Sequence, residues 1–287
     1  MNPSKTAIIV DSGCDVSKQL IQKYDMKQLS LKVIYPEKMY MDGEDIKPQM
    51  VYERFPAEIP STSMANIQDV LDLVDGIREQ GYENVIGITI SGAMSGTFNS
   101  VRLALEEVTD LKTFAFDTKN ISIGGGILAI WAARKLEEGM SFDEVVSGLQ
   151  QKIHDTKLCF YMDTLDYLAR GGRITPSVAI VGKVLKLKPI ITCNEDGVYY
   201  TVAKIRGAAR GFNKLVEVEK QYAAKMHGKI WLSLMDGGAD PKIFAQAKAA
   251  MLEAIPDAEV VVERQINASM AIHTGPGLIG ICVFAAE

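Results

Sequence analysis

Four short apolar runs, separated by stretches with helical spacing, constrain the first half of this chain more than any other feature. "TAIIVDS" (6–12), "LSLKVIY" (29–35), "NVIGITIS" (84–91) and "TFAFDT" (113–118) are rich in β-branched and aromatic residues, which suits the pleated, buried surface of a sheet. Between them, Ile67, Val70, Leu71, Val74 and Ile77 recur at the spacing of one helix face, as do Phe98, Val101, Leu105 and Val108. A strand that returns to its sheet through a helix pairs parallel with its neighbour. The first half is therefore read as α/β, with a mostly parallel sheet and helices on both faces.

Two further helices are expected at about 123–138 and 142–154, the second opened by a capping box in which Ser141 precedes Glu144 by three. There the rhythm changes. "LCFYMDT" (158–164) reads as a strand, "LDYLARGG" as a short helix, and a helix is expected near 176–186. "KPIITCNEDGVYYTVAKI" reads as a hairpin with Asp196-Gly197 in its turn. After a helix at about 206–225 come the strand "KIWLSLMD", a helix started by Asp240 and Pro241, the strand "AEVVVERQI" and a last strand at 278–284. This second half is α+β with mixed or antiparallel pairing. At 287 residues the chain is long enough for two domains, and the change of rhythm sets them at 1–156 and 157–287.

Charge and cysteine usage narrow the function classes. With 31 basic and 36 acidic residues interspersed, the net charge of −5 offers no basic field for nucleic acid or anionic lipid surfaces. Cys14, Cys159, Cys193 and Cys282 are far apart and mostly flanked by apolar residues, so they read as reduced core thiols rather than a disulfide frame or a metal site. The apolar run before Asp11 is too short for a signal-peptide core. Residues 120–133 are too short to span a bilayer, and 265–286 are interrupted by Asn267, His273, Pro276 and glycines. The expectation is a cytoplasmic protein with no stable membrane insertion.

In an open parallel sheet, ligands bind outside the carboxyl ends of the strands. One such end carries "SGAMSGT" (91–97): two glycines allow close approach, Ser95 and Thr97 offer hydroxyls, and the next helix points its N–H groups the same way. That loop suits a carboxylate or a phosphate, or Ser95 merely caps the helix. "PSTS" (60–63) precedes a helix and has the look of ordinary capping. "ISIGGGILAI" lacks both the lysine of a P-loop and the spacing of a dinucleotide fingerprint, so close helix packing accounts for its glycines. "LARGGRI" (168–174) sets Arg170 and Arg173 around a Gly-Gly turn, fit for a phosphate, an acidic partner or plain solvent. His273, in "ASMAIHTGPGLIGICVF" (268–284), is one of only three histidines and is read as the turn of a strand-turn-strand. A serine with a histidine raises a serine hydrolase using Ser95 and His273 on a lipid ester, although the G-x-S-x-G spacing is absent.

Taken together, "VDSGCDVS", "STS" at 61–63, "SGAMSGTFNS", "DTLDYLARGGRI", "KPII", "VAKIRGAA" and "HTGPGLIG" follow one another in the order of the DegV family, which the chain resembles over essentially its whole length. Those proteins bind fatty acids and serve as lipid-carrying subunits of bacterial fatty acid kinase. The resemblance implies that Thr62, Ser95 and His273 hold the carboxylate of a long-chain fatty acid, with Ser12, Ser63, Gly96, Thr97 and Thr274 as additional candidate contacts. It implies a ligand site between the two domains, an apolar tunnel for the acyl chain, and Arg173 and Arg206 as contacts for a separate ATP-dependent kinase. No cofactor, metal or catalysis by this chain alone is implied. A protonated His273 would add a balancing charge. Where the family usually continues "TSQPS", this chain has Thr62-Ser63-Met64-Ala65-Asn66, and "VDSG" stands in place of the commoner "DST".

Overall fold

In the computed structural model, which describes residues 1–174, 188–206 and 208–287, the strand-helix rhythm of the first half closes into a four-stranded parallel sheet. Its strands are β1 (Thr6–Asp11), β2 (Lys27–Leu29), β6 (Asn84–Thr89) and β7 (Lys112–Asp117), in the order β2-β1-β6-β7. The period-two alternation of β1 assigns its faces: Ala7 and Ile9 pack with Val70, Val74 and Ile77 of α3 (Ile67–Glu79) and with Val101 and Leu105 of α4 (Thr97–Glu107). Ile8 and Val10 point the other way, to α5 (Ile123–Glu137). Helices thus cover both faces, as the sequence requires of a parallel sheet.

Helix α5 is apolar from Ile123 to Ala133 and twelve of its fifteen residues are buried, because it lies between two sheets rather than on one. Its glycines permit that closeness: a β-carbon on Gly126 would lie 2.2 Å from the Cys14 carbonyl oxygen. The second sheet is six-stranded and mixed, built from β8 (Thr156–Tyr161), β9 (Lys188–Cys193), β10 (Tyr199–Ile205), β11 (Ile230–Gly237), β12 (Glu259–Gln265) and β13 (Leu278–Ala285). The order is β10-β9-β8-β13-β11-β12, antiparallel except for the β11–β12 pair. On β13, Leu278, Cys282 and Phe284 face the α5 side while Ile279, Ile281 and Val283 face α8 (Ala208–Ala223) and α9 (Pro241–Ala254). All four cysteines are free and buried.

The expected hairpin is present, with Gly197 at φ +78° in the turn and the Asn194 carboxamide oxygen accepting from the Asp196 and Val198 amides. Its tip crosses to the parallel sheet, where the Ser91 hydroxyl donates to the Gly197 carbonyl at 2.9 Å. Helix α6 (Phe142–Lys152) starts at the Ser141–Glu144 capping box, and Asp240 caps α9 with Pro241 in its first turn. The helix expected near 176–186 lies outside the described residues.

Three expectations are corrected. The run 29–35 is not one strand: β2 ends at Leu29 in the parallel sheet, and β3 (Lys32–Ile34) belongs to a third, antiparallel sheet with β4 (Met39–Met41) and β5 (Ser61–Ser63). "PSTS" is not a capping loop, because Ser61–Ser63 is β5 itself; the cap of α3 is Asn66, in a reciprocal pair with Asp69. Residues 268–274 are not a strand but a helix, α10 (Ala268–Thr274), opened by Asn267 and stopped by Gly275 at φ +68°. The remaining short helices are α1 (Lys18–Lys23), α2 (Pro48–Arg54) and α7 (Asp166–Arg170). Among the described residues no helix is long and apolar enough to cross a membrane.

Candidate functional site

The corrected elements bring Thr62 and His273 together. Thr62 is the central residue of β5, held opposite Val33 of β3, and strand geometry sends its side chain away from those of Ser61 and Ser63. His273 lies in the last turn of α10, and its Nε2 is 2.9 Å from the Thr62 hydroxyl, across 211 positions of sequence.

Helix α10 is fixed at its start by buried acids from the first half of the chain. Asp42 accepts from the Ser269 amide at 2.9 Å and from the Ser269 hydroxyl, and also from the Ser12 hydroxyl at 2.7 Å. Asp15 accepts from the Asn267 amide at 2.7 Å, and Arg264 reaches the Val16 carbonyl at 2.9 Å and the Asn267 side chain at 2.6 Å. Burial pushes the Asp15 carboxyl up to about 7, against the pull of Arg264 and Ser122, and pushes Asp11 up to about 7 as well.

The Thr62–His273 pair forms part of the wall of a cleft of about 500 Å³, measured to its open mouth. Leu31, Ile90, Met94, Ile121, Leu168 and Met270 make the cleft apolar, and Thr62, Ser63, Ser95, Arg173 and His273 supply its polar groups. Ser95 follows β6 in the loop before α4; its hydroxyl is 2.9 Å from that of Thr97 and accepts from the Thr97 amide at 3.3 Å. The N-cap of α4 is Gly96, which makes no side-chain cap. Met64, 47 % exposed at the mouth, lays its sulfur where a β-carbon on Gly96 would stand 2.3 Å away.

Burial, reinforced by the neighbouring Arg173 guanidinium, lowers His273 to about 4. The imidazole is therefore neutral at pH 7, and the positive charge at this cleft belongs to Arg173. His273 Nδ1 is buried without a hydrogen-bond partner and faces Gly171, where a β-carbon would approach it to 2.4 Å. Arg173 donates through Nη1 to the Gly171 carbonyl, so the Gly-Gly turn after α7 positions both the imidazole and the guanidinium.

The other candidates are placed differently. Ser63 lines the cleft. Ser12 is buried and occupied by Asp42 and by the Leu31 amide at 3.0 Å. Thr274 is also buried, its hydroxyl donating to the Met270 carbonyl at 3.0 Å. Gly96 and Thr97 form the start of α4 behind Ser95 and Met64, and Arg206 is exposed at the end of β10. The sequence reading overlooked Asp15, Asp42 and Ser269, which orient α10, and Tyr199, which adds to the cleft wall. A helix signal was available in Asn267 followed by Ala, Met and Ala and then Gly275; no local pattern marks Asp42.

A catalytic triad is not assembled. The imidazole pairs with Thr62, the Ser95 hydroxyl with Thr97, and His273 Nδ1 lacks an orienting carboxylate. Asp11 accepts from the Ile90 amide at 2.8 Å, and Asp117 accepts from Gly92 and Lys119 at 3.1 and 2.9 Å. Among the described residues no group of three His, Cys, Asp or Glu side chains is placed to hold a metal ion.

Fold and cleft define a two-domain α/β protein whose parallel and mixed sheets meet around an apolar cleft edged by hydroxyls and an imidazole. The chain belongs to the DegV family: the model of that family, described as an uncharacterised protein family, matches residues 5–286. A DegV domain-containing protein of Clostridium acetobutylicum is 37% identical over 280 residues, covering 98% of this chain and 99% of the relative. Among solved structures, a fatty-acid-binding DegV family protein of Thermus thermophilus superposes with a TM-score of 0.89 at 26% identity, over 99% of this chain and 100% of that one. A stearic-acid-binding protein of Eubacterium ventriosum gives a TM-score of 0.87 at 28% identity, over 97% of this chain and 98% of that one.

Proposed function

We propose that this chain binds a long-chain fatty acid between domains 1–156 and 157–287, its carboxylate at Thr62, Ser95 and His273 and its acyl chain along the apolar cleft. The observation that carries the reading is the 2.9 Å contact between Thr62 and His273 on the wall of that cleft. A carboxylate removed from water needs hydrogen-bond donors, and two hydroxyls, a neutral imidazole and the Arg173 guanidinium offer them. Each buried methylene adds about 0.8 kcal/mol, so the tail supplies most of the affinity and the polar end sets the orientation. The fatty-acid-binding relatives support the choice of ligand.

The bound carboxylate is presented to a separate ATP-dependent kinase. Its oxygen bonds to the γ-phosphorus of ATP as ADP leaves, giving an acyl phosphate, and the chain itself contributes no catalysis. Arg206, exposed just past the end of the edge strand β10, is suited to meet that partner, as is the half-buried Arg173 at the cleft. The serine hydrolase alternative is not favoured, because His273 pairs with Thr62 and Ser95 with Thr97 rather than with each other. Mass spectrometry of the denatured purified protein should find a co-purifying fatty acid. Its absence, together with no uptake of added fatty acid, would refute the proposal.

A further inference from the structure

Three buried carboxyl groups lie behind the cleft wall and take no part in holding the ligand. Asp11, Asp15 and Asp42 are each at most 1% exposed. The cation set against them is Arg264 of β12, and among the described residues its guanidinium donates to the Asp15, Val16 and Gln265 carbonyls and to the Asn267 side chain, not to a carboxylate. The group is tied to the wall through three residues. Asp11 accepts from the Ile90 amide, Asp42 from the Ser269 amide, and the Ser12 hydroxyl that donates to Asp42 accepts from the Leu31 amide; Ile90, Ser269 and Leu31 all line the cleft.

Asp11 is the least answered of the three. Its Oδ1 is buried without a hydrogen-bond partner, and a β-carbon on Gly13 would lie 3.0 Å both from that oxygen and from the Ile90 side chain, with Leu31 at 3.2 Å. The bare oxygen and two side chains of the cleft wall therefore meet at one glycine. Buried acids this close cannot all ionise, so they share protons. Burial, with repulsion by Asp42, holds Asp11 and Asp15 up to about 7. The Cys14 thiol faces Asp11 and Asp15, and the Tyr52 and Tyr199 hydroxyls face Asp15 from α2 and β10; burial raises all three, which stay uncharged. Resting on the fatty-acid reading above, we propose that this group is a proton-binding site linked to the cleft: a carboxylate entering on one side of the wall is accompanied by a proton taken up by Asp11 or Asp15 on the other. The affinity for the anion is then highest at low pH and falls as pH rises through 7.

A like charge about 10 Å away, in a medium of effective dielectric about 20, changes a proton affinity about tenfold. For one acid at about 7 this gives uptake of about 0.4 proton per ligand at pH 7, and an affinity that drops about sevenfold between pH 6.5 and 9. The probe is laurate, monomeric and ionised above about pH 6.5, titrated calorimetrically in buffers of different ionisation enthalpy. Asp11→Asn and Asp15→Asn each copy the protonated acid, and in the double variant the uptake should vanish and the affinity should become independent of pH. Uptake by His273, the other group that meets the carboxylate, would survive those substitutions, so uptake that persists in the double variant would overturn the site. A wild type that binds laurate with no proton uptake and no slope of affinity with pH would overturn it without any variant, and would leave the fatty-acid reading standing. A wild type that binds no laurate would remove both.

Discussion

Replacing Thr62 by valine exchanges one hydroxyl for a methyl of similar size, at a strand position where a β-branched residue belongs. The loss is confined to one oxygen, the one 2.9 Å from His273 Nε2. In the free protein a single neutral hydrogen bond is removed at a partly solvated site, which costs about 1 kcal/mol or less. With a carboxylate bound, the hydroxyl serves a charge, and its removal should cost about 1.5–3 kcal/mol, or about 10- to 100-fold in affinity. The tail is untouched; at about 0.8 kcal/mol per methylene it still contributes on the order of 10 kcal/mol for a palmitoyl chain. Co-purifying lipid is therefore the wrong readout, since the variant should still carry it. The dissociation constant from displacement of a fluorescent fatty acid is the right one, with the melting temperature as control. An affinity within about twofold of wild type would refute the assignment of the carboxylate to this wall. A large drop in melting temperature would show that the Thr62–His273 contact holds the fold.

Two further outcomes follow from the same imidazole. Because His273 is lowered to about 4 from 6.5, its contribution to stability is complete above pH 6.5 and is lost as pH falls from there towards 4, where the unfolded chain takes a proton the native one resists. The stability advantage of wild type over His273→Gln should shrink by about 2 kcal/mol between pH 7 and 4.5 in denaturant melts; an unchanged difference would contradict it. Asp11 and Asp15, raised to about 7, act with the opposite sign, giving stability below their unfolded values that is lost as pH rises through 7, and both proteins share that slope. Gly171→Ala should weaken fatty acid binding about tenfold with little change in melting temperature, because φ is −72° there and alanine is strained only by its 2.4 Å approach to His273 Nδ1. Its effect should not add to that of Thr62→Val, since both act through one ring; full additivity would count against the shared mechanism.

The parallel sheet, α5 and the 194–198 turn were legible because each has a local cause: alternation along β1, a run of glycines where a β-carbon would come within 2.2 Å of a carbonyl oxygen, a residue at φ +78°. The segments that carry the site were not. Residues 61–63 form a strand only because β3 lies beside them, and a three-residue strand has no period of its own to read. Six of the seven residues of α10 are buried, so its apolar run does not separate helix from strand. The partners of Asp42 are likewise non-local, Ser269 being 227 positions away. Ser95 was marked by its loop and His273 by its setting, whereas Thr62 and the grouping of the three came from resemblance; the neutral state of His273 and its contact with Gly171 emerged only from packing.

The place of β13 bears on how such a chain comes off the ribosome. It is the last of the described strands in sequence yet sits between β8 and β11 in the middle of the mixed sheet. Until it emerges, that sheet is two fragments, β10-β9-β8 and β11-β12, and one side of the almost wholly buried α5 lacks its cover. His273 leaves the ribosome just ahead of this strand, so the cleft is completed at the same moment as the core. A chain truncated before β13 then has neither a covered α5 nor a completed cleft.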